Sequence, residues 1–550
     1  MLGEDMSLQT PLEMLYHWED TASQTVYLQQ PVDGRIDRFT WLQTADQVRR
    51  VAGSLNAMDL PPGSHIAILS KNCAQWFITD LAIMLAGHIS VPIYSTAGGG
   101  TIRYVLDHAQ CPVIFVGKLD NTAEQVAAIP TGVVKLAFPY PDIPADKSWL
   151  ELLSCEPCTE RPVPSLESVM TIIYTSGSTG NPKGVVHTYN SICWAAKNSL
   201  VEMGVDANDR ILSYLPLAHI TERVLVEVAS FYSGMRIDFI QSLETFSRDI
   251  CNTKPTLFLS VPRLWTRFQM GVLSNMPQKK LDFLLTIPIV KNIVAHKIRS
   301  KLGLDKTRLC ASGSAPISPA TLKWFLQIGV QISEGWGMTE NSAYGTCCVP
   351  FRVDKIGSIG RAYQGVDIRI TDEGEIQVKG PCNMQEYYLE PDKTTAVFTD
   401  DGFLKTGDKG TIDSDGYIKI TGRLKDIFKT AKGKYIAPVP IESKLMGNPL
   451  IEQVCVTGAK LKQPIALIVL SVIAQKQDKV KTEKSLLATL SIINSELESH
   501  AVLDRIVIMR DDWTVENGLL TPTLKIKRHL LEDKYDVLIN TDENAKLVYQ

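Results

Sequence analysis

Residues 172–187 read IIYTSGSTGNPKGVVH, an unbroken run of Thr, Ser and Gly closed by Pro-Lys-Gly and set between two β-branched apolar runs. The left run, Val169 to Tyr174, is short, apolar and bounded by the Gly-rich stretch, which predicts a buried strand. Val185 and Val186 predict a second one. Between Thr175 and Gly180 no side chain is larger than Thr, and Gly177 and Gly180 free the backbone to approach a ligand closely. Main-chain N–H groups, the hydroxyls of Thr175, Ser176, Ser178 and Thr179, and the ammonium of Lys183 together suit a polyphosphate. A surface turn is also written with Gly and Ser, but a loop that directly follows a buried strand and ends in lysine favours an anion cradle. Two familiar nucleotide loops do not fit. The Walker pattern needs Gly-Lys-Ser/Thr at the mouth of a helix, whereas Lys183 lies between Pro182 and Gly184. No dinucleotide fingerprint opens a helix here either.

The chain has 550 residues, too many for one core, so two or more domains are expected. A hydrophobic fraction of 45% with 21% charged residues is that of a globular protein, and a net charge of −4 argues against nucleic acid as partner. Eleven cysteines, an odd and scattered set, do not form a disulfide framework. Cys155 and Cys158 form one C-x-x-C with no second pair to complete a zinc set, and adjacent Cys347 and Cys348 read as small apolar residues. The N-terminus MLGEDMSLQTPLEML carries acidic residues where a secretory signal needs positive ones, and no segment reaches the ~18 apolar residues of a membrane span. The expectation is a cytoplasmic protein. LDFLLTIPIV at 281–290, flanked by Lys279, Lys280 and Lys291, reads either as a core helix or loop insertion or as a patch resting on a membrane surface.

Strand-like runs (HIAILS, VPIYS, CPVIFVG, RILSYLPL) alternate with amphipathic stretches from about residue 40, which predicts parallel sheets with helices on their faces. Near 365 the pattern changes. DIRITDEGEIQVKG and TIDSDGYIKITG are alternating runs joined by Asp/Gly turns, the mark of antiparallel hairpins. TGRLKDIFKTAKGKYIAP then carries five Lys and Arg before Tyr435 and reads as a hinge and an exposed hairpin. Two apolar runs, a helical stretch near 484–498, DRIVIMRD and a last helix after Pro522 predict a small α+β domain. The expected organisation is an α/β chain. Residues 1–422 form a large N-terminal domain of parallel-type sheets flanked by helices, with a small β-barrel-like module at about 346–422. Residues 423–427 form a hinge, and 428–550 a smaller C-terminal α+β domain.

The loop resembles the phosphate loop of the adenylate-forming superfamily, which includes acyl-CoA synthetases, adenylation domains of peptide synthetases, and luciferases. The resemblance extends along nearly the whole chain, with the motifs in the family's order. YLPLAHITER at 214–223 is similar to the segment that places an aromatic residue or histidine, here His219, beside the carboxylate. ASGSAP at 311–316 resembles the turn against which adenine stacks, with Gly313, Ser314 and Ala315 in close backbone contact. GWGMTE at 335–340 resembles the motif in which Trp336 lies against adenine, Thr339 contacts the α-phosphate and Glu340 helps hold magnesium, with Gly335, Gly337 and Met338 also on the nucleotide. A carboxylate suits that ion, which prefers hard oxygen ligands and keeps several waters. KTGDKG at 405–410 supplies Asp408 for the ribose hydroxyls. GRLKD at 422–426 supplies Arg423 for ribose or phosphate and Lys425 at the hinge. KTAKGKY places Gly433 where pantetheine passes. LTPTLKIKR at 520–528 resembles the C-terminal lysine motif, with Leu524 in place of the usual glycine; Lys525 is in register and Lys527 close by.

The resemblance implies two half-reactions: a carboxylic acid and ATP give an acyl-adenylate and pyrophosphate, and the acyl group then passes to a thiol as the small domain rotates. Mg2+ would accompany ATP, and CoA would be the co-substrate. YLPLAHITERV, the glycine-free lysine motif and GWGMTENSA resemble the long-chain fatty acyl-CoA synthetase branch. The acid stays open among medium-chain, long-chain and aryl. Transfer to a carrier-protein thiol and a catalytically silent nucleotide-binding regulator are the other readings, as are peripheral membrane contact and a monomer or homodimer.

Overall fold

The computed structural model describes residues 8–175, 181–459, 461–515, 517–521, 525–541 and 545–550. Ser176, Gly177, Ser178, Thr179 and Gly180 of the phosphate loop lie outside the described residues.

Two large sheets carry the first part of the chain. In one, Val169–Thr175 lies beside the parallel strands Ile89–Ile93, His65–Leu69, Val113–Val116 and Val134–Ala137. Its other neighbour, Lys183–Thr188, is antiparallel, so the Gly-rich loop joins a hairpin whose last pair is Thr175 with Lys183. The short strand Glu386–Tyr387 pairs antiparallel along the free edge of that hairpin. In the second sheet, Arg236–Phe239, Arg210–Ser213, Leu257–Ser260, Leu309–Ser312 and Ile332–Trp336 run parallel, and Val26–Val32 joins them beside Arg236–Phe239. Helices cover both sheets. The helix Ala74–Leu85 is buried along its whole length between layers, which accounts for an apolar composition with no polar stripe.

The sheets are parallel through their centres, as the alternation predicts, and antiparallel toward their edges. Val26–Val32 and Arg35–Thr40 form an antiparallel hairpin at one edge. Its second strand, RIDRFT, is half exposed and charged, so it lacks the apolar run that marks a buried strand.

Beyond these lies a four-stranded antiparallel sheet of Asp367–Ile370, Glu375–Lys379, Leu404–Ile412 and Ile418–Arg423. A two-stranded hairpin, Phe428–Lys429 with Tyr435–Ile436, follows. The last sheet holds Ile451–Thr457, Ile465–Leu470, Ile506–Ile508 and Leu547–Tyr549. Both of its faces are core. Val454, Val456 and Ile468 pack on one side with Leu486 and Leu490 of the helix Lys479–Ser495, and Cys455, Leu467 and Val469 on the other with Leu531 and Tyr535. Burial on both faces explains why IALIVL is continuously apolar.

Parallel strands fix where a site forms. The chain leaves Arg210–Ser213, Leu309–Ser312 and Ile332–Trp336 at their carboxyl ends, and the next residues are the 214–219 segment, Gly313–Ala315 and Gly337–Glu340. Loops at the carboxyl ends of such strands are where open α/β sheets bind ligands.

Candidate functional site

On the hairpin side, Lys183 is partly buried and its ammonium lies 4.6 Å over the ring of Tyr387. The Tyr387 hydroxyl donates to Oε1 of Glu340 at 2.7 Å. One phenol therefore joins the lysine that closes the candidate phosphate loop to the candidate metal carboxylate. The second oxygen of Glu340 has no hydrogen-bond partner among the described residues. Burial, followed by the charges of Lys393 and Lys425, pulls the Lys183 pKa below the ordinary lysine value, while Glu340 and Glu390 oppose the shift.

The segment that carries Thr339 and Glu340 is held by several independent contacts. Thr339–Asn341 is a short 3-10 turn in which Asn341 accepts from the Met338 N–H at 2.8 Å. Gly337 is required: a Cβ there would stand 2.5 Å from the carbonyl carbon of Ala343. Ser342 and Ala343 both hold left-handed backbone (φ 54° and 55°), a strain concentrated beside the candidate site. From the hairpin, the fully buried His187 donates through Nε2 to the Thr339 carbonyl at 2.8 Å. Burial and the Arg223 charge lower its pKa to about 4, so the ring is neutral at pH 7 and keeps one N–H to give. These contacts leave the Thr339 hydroxyl half-exposed and without a partner among the described residues.

Asp408 is buried and already oriented. Oδ2 accepts from the Trp336 indole at 3.0 Å, and Oδ1 from Arg423 Nε at 2.8 Å. Asp408 and Arg423 face each other in register on the antiparallel sheet. The strand ends thus bring Trp336, Asp408 and Arg423 into one group. Gly313 and Ser314 line the same cavity as Gly335, Trp336 and Gly337, with Ser314 in left-handed backbone (φ 66°) and Ser314 and Ala315 exposed.

That cavity runs inward from Trp336 along Ile211, Leu225, Met235, Leu257 and Phe258. It is apolar and narrow. Its volume is about 70 Å3.

His219 begins the turn Ile220–Glu222, its Nδ1 accepting from the Thr221 N–H at 3.2 Å. Burial, with the Lys525 charge second, lowers its pKa to about 3. Behind it, Glu222 is wholly buried and accepts from Ser213 Oγ at 2.7 Å and Asn72 Nδ2 at 3.2 Å, and burial pushes its pKa to about 8. Next to it Arg223 pairs with Asp80 and Glu227 at 2.8 and 3.1 Å, all three fully buried, and a π-helical turn spans Arg223–Val228. This ionic cluster fixes the segment on which His219 stands.

Lys525 enters from the C-terminal lobe. Its N–H donates to Thr521 Oγ1 at 3.1 Å, and its carbonyl accepts from the Thr521 N–H at 2.8 Å. It is exposed in the cleft, yet the surrounding protein and then the Arg423 charge lower its pKa, against the pull of Asp408 and Glu340. The charges of Arg423, Asp408 and Glu340 are thus all felt at Lys525. Lys527 instead heads the helix Arg528–Lys534 and donates its N–H to Leu519. An ion pair of Arg263 with Glu452, 2.7 Å, ties the lobes together.

Two expected residues are not part of this group. Lys425 is exposed in the 3-10 turn Leu424–Asp426, reaching the site only through its charge on Lys183. Gly433 turns the exposed hairpin with φ 76°, its N–H donating to Thr430.

The amino-acid pattern of an AMP-binding enzyme matches residues 17–388, and that of the AMP-binding enzyme C-terminal domain matches residues 425–542. The chain belongs to the AMP-binding enzyme family. Family membership makes it an adenylate-forming enzyme, one that activates an acid with ATP. It is 29% identical to a long-chain-fatty-acid–CoA ligase of Mycobacterium tuberculosis, over 94% of both chains. It is 30% identical to the peroxisomal long chain acyl-CoA synthetase 7 of Arabidopsis thaliana, over 93% of this chain and 83% of that one. Its fold matches the adenylation domain of a carboxylate reductase from Mycobacterium chelonae (TM-score 0.82, 20% identity, 97% of this chain and 91% of that). It also matches an anthranilate CoA ligase solved with anthranoyl-AMP (TM-score 0.80, 20% identity, 98% and 100%).

Within the family's motifs, sequence reasoning missed two residues, His187 and Tyr387. Both were in view, one inside the quoted stretch and one in a Tyr-Tyr pair, but their partners lie 152 and 47 residues away.

Proposed function

We propose that this family member is a long-chain fatty acid–CoA ligase: it joins a fatty acid to ATP as acyl-AMP, releases pyrophosphate, and transfers the acyl group to CoA. The observation that supports this most is the joining of Trp336, Asp408 and Arg423 by hydrogen bonds, and of Lys183, Tyr387 and Glu340 through one phenol, with the Lys525 charge felt at His219. A carboxylate attacking the α-phosphorus meets negative charge on every side, and such a reaction needs fixed positive charge more than a covalent nucleophile.

In this reading Lys525 bridges the attacking carboxylate and the α-phosphate, and Thr339 donates to the same phosphate. The 175–183 loop, Thr175 through Lys183, holds the leaving pyrophosphate. A new C–O–P linkage forms as the bond from α-phosphorus to pyrophosphate breaks. Asp408 accepts from the ribose hydroxyls, with Arg423 beside it, and adenine lies between Trp336 and the Gly313–Ala315 turn. His219, held neutral, would lie beside the carboxylate of the acid, two residues from Thr221, which lines the cavity. The free oxygen of Glu340 is a hard donor of the type magnesium takes, and the ion, when bound, neutralises phosphate charge. For the second step we propose that the chain divides at 423–427, with Lys425 in the hinge, and that pantetheine passes Gly433 so that its thiolate attacks the acyl carbonyl and expels AMP.

The long-chain assignment draws on the two relatives named above and on the apolar cavity. It is tested by acid-dependent ATP–pyrophosphate exchange across a panel from acetate to oleate, followed by thioester formation with CoA or with a carrier-protein thiol. The expected result is exchange that peaks with long-chain acids and a thioester on CoA. Exchange that peaks with acetate or an aryl acid overturns the substrate assignment. A thioester on the carrier protein alone overturns the acceptor, and AMP release without any acid overturns the mechanism.

A further inference from the structure

Away from the cleft, the helices Gln278–Thr286 and Pro288–Lys301 meet at Ile287. The corner has a local cause. Pro288 excludes the preceding residue from helical backbone, and Ile287 sits at φ −88°, ψ 113°. Around it Phe283, Ile287, Ile289 and Ile293 are 65%, 38%, 77% and 62% exposed. The opposite faces of both helices are core, with Leu281, Ala295 and Ile298 packing in the cluster that holds Phe258 and Trp265. The four outward side chains contribute nothing to that core. Single exposed apolar residues are ordinary, whereas a contiguous group rimmed by polar ones marks an interaction surface.

The rim identifies the partner. Lys279, Lys280, Lys291, Lys297 and Lys301 are all exposed, and none has an acidic partner among the described residues. From 278 to 301 the one acidic residue is Asp282, which accepts from Gln278. This basic concentration occurs on a chain whose net charge is −4. A second copy of the chain is a poor occupant, because a two-fold contact would set lysines against lysines. A surface that is both apolar at depth and anionic at its edge fits best. We propose that the 283–293 corner docks this protein on an anionic phospholipid bilayer, the four apolar side chains entering the acyl boundary and the lysines meeting lipid phosphates.

The position has a consequence for the chemistry. Phe258, in the same core cluster as Leu281, Ala295 and Ile298 of the two helices, also lines the acyl cavity. Docking would bring that wall close to a bilayer in which long-chain acids dissolve. This last link rests on the fatty acid reading, but the docking does not.

The test uses the full chain without substrates in vesicle flotation, comparing phosphatidylcholine alone with a mixture containing phosphatidylglycerol. The expected result is flotation with the anionic vesicles that weakens from roughly 0.1 M to roughly 1 M salt as screening shortens. Ile289→Glu/Ile293→Glu is expected to lower the bound fraction about tenfold or more, and Lys280→Glu/Lys291→Glu to remove the salt-sensitive part. Unchanged melting temperature and exchange activity in detergent-free buffer would show that both variants fold. Failure of the wild type to float, or equal flotation of the Glu variants, overturns the proposal. So does a wild-type dimer in sedimentation that the Glu variants turn into monomers, which would make the corner an interface between copies. Flotation without exchange on any fatty acid would remove the substrate reading and leave the docking standing.

Discussion

Lys183 and Lys525 converge on one cleft from opposite supports, and both have their pKa lowered by what surrounds them. Lys183 belongs to a strand hydrogen-bonded on both sides, by Val169–Thr175 and by Glu386–Tyr387, with the Tyr387 ring under its ammonium. Lys525 is tied to Thr521 in a lobe anchored to the first by contacts such as Arg263 with Glu452. The same charge is thus built once inside a paired strand and once in the C-terminal lobe, which in the proposed mechanism rotates. The two proposed half-reactions, one needing strong positive charge and the other room for a thiol, would draw on that asymmetry.

The comparison is broken most strongly at the movable lysine. Lys525→Ala should lower acid-dependent exchange by ~10²–10³ while thioester formation from supplied acyl-AMP survives. Lys527→Ala should leave both, and the reverse outcome would move the assignment by two residues. Lys183→Ala should act differently, raising the KM for ATP about tenfold or more as the pyrophosphate loses a charge-assisted contact. Because both lysines must stay protonated and both pKa values are lowered, exchange should fall on the alkaline limb before the ordinary lysine range.

A smaller effect tests the fixture. Tyr387→Phe keeps the ring under Lys183 but removes the donor to Glu340, a bond to a charged group worth ~1.5–3 kcal/mol. Exchange should fall about tenfold and its magnesium requirement should rise, whereas Tyr387→Leu should add an ATP-affinity defect. If Tyr387→Phe leaves the magnesium titration unchanged, the phenol does not position the carboxylate.

Stability against pH tests the support beneath His219. Glu222 titrates near 8 in the fold against 4.5 when unperturbed, so between those values the unfolded chain releases a proton that the folded chain keeps. Stability from this residue is therefore full below about 4.5 and declines as pH rises toward 8. Glu222→Gln should flatten that decline by a few kcal/mol, at about 1.4 kcal/mol per pH unit, measured as melting temperature from pH 5 to 8. The smallest effect belongs to the lobe contact: Arg263→Ala should change exchange less than about fivefold, since a partly exposed pair is worth at most ~1 kcal/mol.

The sequence was most legible where local chemistry dictates local shape. The two β-branched runs were legible as the paired strands Val169–Thr175 and Lys183–Thr188, and Asp/Gly turns in alternating runs as the antiparallel sheet of Asp408 and Arg423. It was least legible where a role depends on a distant partner. Nothing local separates His187 from any other inward strand residue, because its value lies in a carbonyl at Thr339. The charged strand Arg35–Thr40 hid as an edge, and the apolar cavity is lined by side chains from 200 to 363 that no single motif contains.

The edge strand Glu386–Tyr387 also orders events during synthesis. Val186 waits for a partner 200 positions downstream, so on the ribosome the nucleotide hairpin emerges with one flank unprotected. A nascent chain halted before residue 386 displays that open flank to any neighbour able to add a strand, and premature termination there should yield aggregates before it yields a defective ligase.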